Sequence, residues 1–200
     1  MSTLIESHPA TSAERSDVVS ALCRAFFDER IYRWLVPDDV QRRRSAEAFY
    51  SRLVDACWPH GGVYTAAQGS GAALWLPPGK QLASDGEADA LVAELIDCAG
   101  DDAASQRMAQ LFDLLDAHHP TEACWYLAFM GVEPAAQGRG IGGELLAAVL
   151  NQADRDGMPA YLEASSPENQ RLYERHGFRT VRELAVSDSP TIYAMWRLPM

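Results

Sequence analysis

The residues best placed to do chemistry lie between Gln137 and Gly143, which read QGRGIGG. Four glycines, Gly138, Gly140, Gly142 and Gly143, fall in this turn, and a helical pattern of Leu145, Leu146, Val149 and Leu150 follows directly. The first amides of a helix have no partner within it and sit at the positive end of its dipole, so such a turn stabilises an anion. Glycine removes the side chains that would hold a phosphate away from the backbone. The chemistry indicated is capture of a phosphate or pyrophosphate.

Two anion-binding patterns overlap here. Gly138, Gly140 and Gly143 spell G-x-G-x-x-G, and Glu163 stands where a dinucleotide fold would place the acid that holds a ribose. In that fold the first glycine follows its strand almost directly, whereas Glu133 to Gln137, with Pro134 among them, separates Val132 from Gly138. Too little chain follows Gly143 for the remaining strand–helix units. The context rejects this pattern and leaves a nicotinamide-dependent oxidoreductase as the third-ranked function.

The second pattern is Q-x-x-G-x-G, carried by Gln137, Gly140 and Gly142 after a strand ending at Gly131 and Val132. With residues 169–178 (NQRLYERHGF), it resembles the GCN5-related N-acetyltransferase (GNAT) superfamily. Residues 73–75 (ALW), 111–120 (LFDLLDAHHP), 125–127 (WYL), 159–165 (PAYLEAS) and 173–178 are similar to its puromycin N-acetyltransferase-type actinobacterial members. The similarity is strong from about residue 111 to the C-terminus and thin before about residue 60.

This resemblance implies an α/β (α+β) GNAT fold, a mixed central sheet of about six to seven strands flanked by helices, with splayed central strands. It implies acetyl-CoA as cosubstrate and no metal. The pyrophosphate would sit on Gln137, Gly138, Arg139, Gly140, Ile141, Gly142 and Gly143, and the pantetheine arm would use the backbone of Met130 and Val132 as a substitute strand. Backbone N–H near Val132 would polarise the acetyl carbonyl, and Tyr173 would protonate the leaving thiolate. Glu163 is the candidate base, and Asn169 a candidate coenzyme contact. Asn169 lies four residues before Tyr173, as in puromycin-type members, whereas many others place the asparagine seven before. Tyr32, Trp34 and Trp75 are candidate acceptor-binding residues.

The elements that must position these groups follow from pattern and composition. Two hundred residues with 48% hydrophobic content suffice for one sizeable core. A single domain over residues 1–200 is expected, with 1–120 as acceptor-side helices and hairpin and 121–200 as the acetyl-CoA-binding core. Leu4 and Ile5 suggest a short first strand before Pro9. Thr11 or Ser12 can cap a helix to about Phe27 with Val18, Val19, Leu22, Cys23 and Phe26 on its apolar face, and residues 30–37 read as a turn before a helix over 38–57. Residues 63–66 and 72–76 form a hairpin, 80–90 an exposed loop, and 87–117 two helices broken at 100–102. Long strands are expected over 122–132 and 159–164.

No apolar run reaches the roughly 18 residues needed to span a bilayer, and the N-terminus lacks a signal-peptide core, so a cytoplasmic protein without membrane contact is expected. Cys23, Cys57, Cys98 and Cys124 are scattered without metal-ligand spacing, and none occupies a position that calls for an acyl-enzyme. His118 and His119, adjacent at a helix end, suit a cap or the surface better than a metal. A net charge of -11 disfavours nucleic acid and suits a cationic amine. The expected function is direct acetyl transfer, in a monomer or homodimer, to a primary amine of a small molecule. An aminonucleoside such as puromycin is one acceptor, which would make the reaction antibiotic resistance. A protein or peptide amine, or a non-catalytic acyl-CoA sensor, is the alternative.

Overall fold

Alternating strand residues dictate two buried layers, and the computed structural model, which describes residues 6–83 and 87–200, places one on each face of a seven-stranded mixed sheet. The strands are β1 Ser7–Pro9, β2 Val63–Ala66, β3 Gly71–Leu76, β4 Trp125–Val132, β5 Ala160–Ala164, β6 Arg179–Leu184 and β7 Ile192–Arg197. Their order is β1-β2-β3-β4-β5-β7-β6, antiparallel throughout except between β4 and β5. The strand expected at Leu4 and Ile5 lies outside the described residues, as do residues 84–86 of the loop expected at 80–90.

On one face, Ala72, Leu74 and Leu76 of β3 pack with α1 Arg15–Phe26, α2 Arg30–Leu35, α3 Asp39–Cys57, α4 Ala88–Asp97 and α5 Asp102–His118. On the other, Ala73 and Trp75 meet α6 Ile141–Arg155 and α7 Pro167–Arg175. Side-chain caps set the helix starts: Asp38 accepts from the Gln41 amide at 2.7 Å and Asp101 from the Ala104 amide at 2.9 Å. The turn expected over 30–37 is instead helix α2, because the Glu29 carboxylate accepts from the amides of Ile31 (2.8 Å) and Tyr32 (3.1 Å). No helix among the described residues is long and apolar enough to cross a membrane.

Strands β4 and β5 pair only from Trp125 to Leu127 against Ala160 to Leu162, and then part. Just beyond this ladder, Leu74 of β3 faces Phe129 while Trp75 faces Leu127, so Ala128 is an extra residue on β4. A bulge of this kind bends the strand and increases its twist. The splayed centre is therefore built from a three-pair ladder and a bulge at its end. Gly131 lies past the bulge, where a Cβ would stand 2.6 Å from Ala25 Cβ of α1. Neither carbon can swing away. Gly131→Ala is therefore expected to cost about 1–3 kcal/mol by overpacking, read as a melting temperature several degrees lower; an unchanged value would show that α1 does not bear on the strand.

Candidate active site

A cavity of about 990 Å³ lies on the α1–α5 face of the sheet. Met130 and Tyr173 belong to the opposite, α6-side layer, yet both line this cavity, together with Asn169 and Ser165. The cavity therefore opens through the gap where β4 and β5 part. Tyr173 is buried, its ring edge-on to Phe178, and its hydroxyl makes no hydrogen bond among the described residues. Burial pushes its phenol above the ordinary range, so it stays protonated at neutral pH.

Glu163, expected from sequence, stands at the end of the short β4–β5 ladder and faces the same cavity. Its Oε2 accepts from the Tyr126 hydroxyl at 2.9 Å, while Oε1 is buried without a partner. Burial raises the carboxyl to about 7, opposed by the hydroxyls of Tyr126 and Tyr161. Tyr161 lies across from Tyr126 in the ladder, and its own hydroxyl is buried without closing a hydrogen bond. The His119 ring packs edge-on against both tyrosines, at 4.8 and 5.4 Å between centroids, and lines the cavity. A carboxyl poised near neutrality beside a hydroxyl donor can accept a proton there.

A second carboxyl lines the cavity. Glu29 spends Oε2 on the α2 amides, whereas Oε1 is buried and unpartnered. Burial raises its pKa, opposed by the Tyr32 amide and by Ser165, whose Oγ accepts from Asn169 Nδ2 at 3.2 Å. Tyr126, Tyr161, His119 and Glu29 were not read from sequence as site residues. Tyr161 carried a signal, two positions before Glu163 in a strand and thus on the same face. Glu29 carried another, an acid just ahead of the helical pattern Ile31, Tyr32 and Leu35.

The glycine turn lies outside the cavity lining, at the N-terminus of α6. Gly140 is the N-cap at φ +89°, no side chain caps the helix, and Gln137 Nε2 donates to the Val132 carbonyl at 3.1 Å, which ties the turn to the end of β4. A Cβ at Gly138 or Gly140 would meet nothing within 4 Å. Open space above unpaired helix amides fits a pyrophosphate. Gly142 and Gly143 border Leu172 and His176, so α7 flanks the same end, and Arg139 is exposed beside it.

Two expected acceptor contacts are elsewhere. Trp75 is fully buried on the α6 side, because odd-numbered residues of β3 face away from the cavity. Trp34 is half-buried outside the cavity lining, its indole N–H donating to Asp188 at 3.4 Å. Tyr32 does line the cavity, with its hydroxyl 3.0 Å from Ser45 Oγ. Cys124 also lines it, but burial pushes the thiol up to about 11, so it is a poor nucleophile at neutral pH. His118 bonds the Leu114 carbonyl through Nδ1 at the α5 terminus.

The raised Glu163 carboxyl links stability to pH. The folded protein holds this proton more tightly than the unfolded chain, so its contribution is lost as pH rises from about 4.5 to about 7. Glu163→Gln is expected to melt a few degrees above the parent near pH 8, with the difference gone near pH 4.5. Equal melting temperatures at both pH values would show the carboxylate is not buried at a cost.

Residues 88–180 match the model of the acetyltransferase (GNAT) domain. A segment of 54 residues is 41% identical to an uncharacterized N-acetyltransferase of Schizosaccharomyces pombe; it covers 27% of this chain and spans only 22% of that relative's length. The fold is similar to a solved structure described as histone acetyltransferase HPA2 and related acetyltransferase from Corynebacterium glutamicum, at 24% identity and TM-score 0.74 over 99% of this chain and 98% of that one. It is also similar to polyamine N-acetyltransferase of Drosophila melanogaster, at 16% identity and TM-score 0.69 over 98% and 100% of the two chains. From the parted strands, the glycine-capped α6 and these likenesses together, the chain adopts the mixed α/β fold of the GNAT acetyltransferases, and the GNAT domain model matches its residues 88–180.

Proposed function

We propose that the protein is an acetyl-CoA-dependent N-acetyltransferase acting on a primary amine of a small molecule. One observation carries this reading. The gap between β4 and β5 joins an anion-receptive helix terminus on one side of the sheet to a cavity on the other that holds a near-neutral carboxyl and a protonated phenol. Acetyl-CoA supplies a thioester carbonyl for the amine to attack, and the chain must hold the cosubstrate and move two protons. Gln137 to Gly143 suit the pyrophosphate, and the β5-facing backbone groups of β4 past Leu127, including those near Met130 and Val132, suit an extended arm that lacks a strand partner.

An ammonium ion is no nucleophile, so its proton must leave first. Glu163 accepts it through the free Oε1, while the Tyr126 hydroxyl on Oε2 steadies the carboxylate formed. Tyr173, held protonated because burial disfavours its phenolate, gives its proton to the departing sulfur and takes back the second proton that the nitrogen sheds as the amide forms. Backbone N–H near Val132 would stabilise the oxyanion, and Asn169 would contact the coenzyme from the rim of the gap. The finer reading, an aminonucleoside acceptor such as puromycin, is supported by residues 111–120 and 173–178 of the sequence and is tested by including puromycin among the amines.

The test is calorimetric titration with acetyl-CoA followed by thiol release across an amine panel. Gly140→Asp is expected to lose acetyl-CoA affinity at least about tenfold and to stay folded, since a side chain at this positive φ costs only about 1–2 kcal/mol. Unchanged affinity would remove the turn from the site. The parent's kcat/KM should rise with pH through about 7 as Glu163 ionises, a limb missing in Glu163→Gln. Tyr173→Phe should lower kcat with little change in KM; a parental rate would take Tyr173 out of the proton transfer.

A further inference from the structure

The cavity is much larger than an amine and an acetyl group require, and its lining is of two chemical kinds. At the gap stand Glu29 and Glu163, each with one carboxyl oxygen engaged and the other buried without a partner. The lining also holds Leu53, Leu76, Leu91, Leu95, Leu111 and Leu115, of α3, β3, α4 and α5. These leucines come from four elements and converge on one space. An unpaired buried carboxylate calls for a cation or an N–H donor, whereas a leucine wall offers a polar group no partner and rewards apolar surface.

We infer that the acceptor is an amphipathic amine, a primary ammonium group on a bulky apolar body. The ammonium lies at Glu29 and Glu163, and the body lies against these leucines. The other acids of the lining, Asp116 and Glu122, are exposed, so the further ammonium groups of a polyamine held at Glu29 and Glu163 would meet leucine in the buried part of the cavity. Glu29 is a binding residue in this arrangement: it orders α2 with one oxygen and holds the substrate with the other. This inference rests on the acetyltransferase reading for the fate of the amine, but the cavity's preference can be measured without turnover.

Butylamine, hexylamine, octylamine, octanol and spermidine are titrated calorimetrically against the parent, with and without saturating CoA, which cannot react. Affinity should tighten roughly threefold per added methylene along the alkylamines. Octanol and spermidine should each bind at least about tenfold more weakly than octylamine, and Glu29→Gln should weaken every alkylamine by about tenfold. Leu95→Asn should flatten the chain-length series; Leu115→Asn, at a half-buried position, serves the same purpose if the first variant does not fold. A flat series in the parent, a slope that survives in both leucine variants, or spermidine binding as tightly as octylamine would overturn the inference. If CoA fails to bind while the slope persists without it, the acetyl-transfer reading falls and the amphipathic-amine site stands. If CoA binds and the series is flat, the reverse holds.

Discussion

Everything in this molecule turns on the brevity of one ladder. Parallel strands β4 and β5 are bonded over three residue pairs and no further. Beyond them, backbone groups of β4 that would have met β5 have no strand to bond, a condition costly in an interior and useful where an extended ligand can lie. The same parting connects the two faces of the sheet. It lets Tyr173 and Met130, packed on the α6 side, reach a cavity built on the other face by α1 to α5.

Keeping such a gap open requires the elements around it to be braced, and two buried arginines supply much of that bracing. Arg42 donates to the carbonyls of Phe27, Val36 and Pro37 and pairs with Asp39, which fixes the chain on either side of α2 and so the position of Glu29. Arg197, at the end of β7, binds Asp154 of α6 through two nitrogens at 2.7 and 2.8 Å and also donates to the His176 carbonyl just after α7. It thus sets α7, with Tyr173, against α6 and its glycine turn. Guanidinium suits both places because one planar group satisfies several acceptors at once.

The electrostatic character of the site follows from burial more than from charge count. Glu163 and Tyr173 are both pushed toward their neutral forms by the same dry surroundings, in opposite chemical senses. The carboxyl arrives near neutrality, where it can exchange a proton, while the phenol becomes a group that holds one. Two hydroxyls beside Glu163 limit the rise and keep the carboxylate accessible.

Local features were legible from the residues alone. The glycine turn before an apolar helix, the helix that starts near Asp38, the hairpin around 67–70, the break at 100–102 and the place of Glu163 in a buried strand all depend on neighbours within a few positions, and helical and strand periods report them directly. The fold class followed as well, through the family resemblance that residues 137–143 and 169–178 carry. What the residues could not declare was which face of the sheet an alternating strand would turn to which layer. Trp75 looked available for an acceptor and lies on the far face, and Trp34 sits on a helix that Glu29 creates. Nor could spacing bring Tyr126 across from Tyr161, or stop the β4 ladder at Leu127. Register, the bulge at Ala128 and the packing of α1 on Gly131 arise only when distant segments meet, and those contacts decide where the cavity opens and which carboxyls face it.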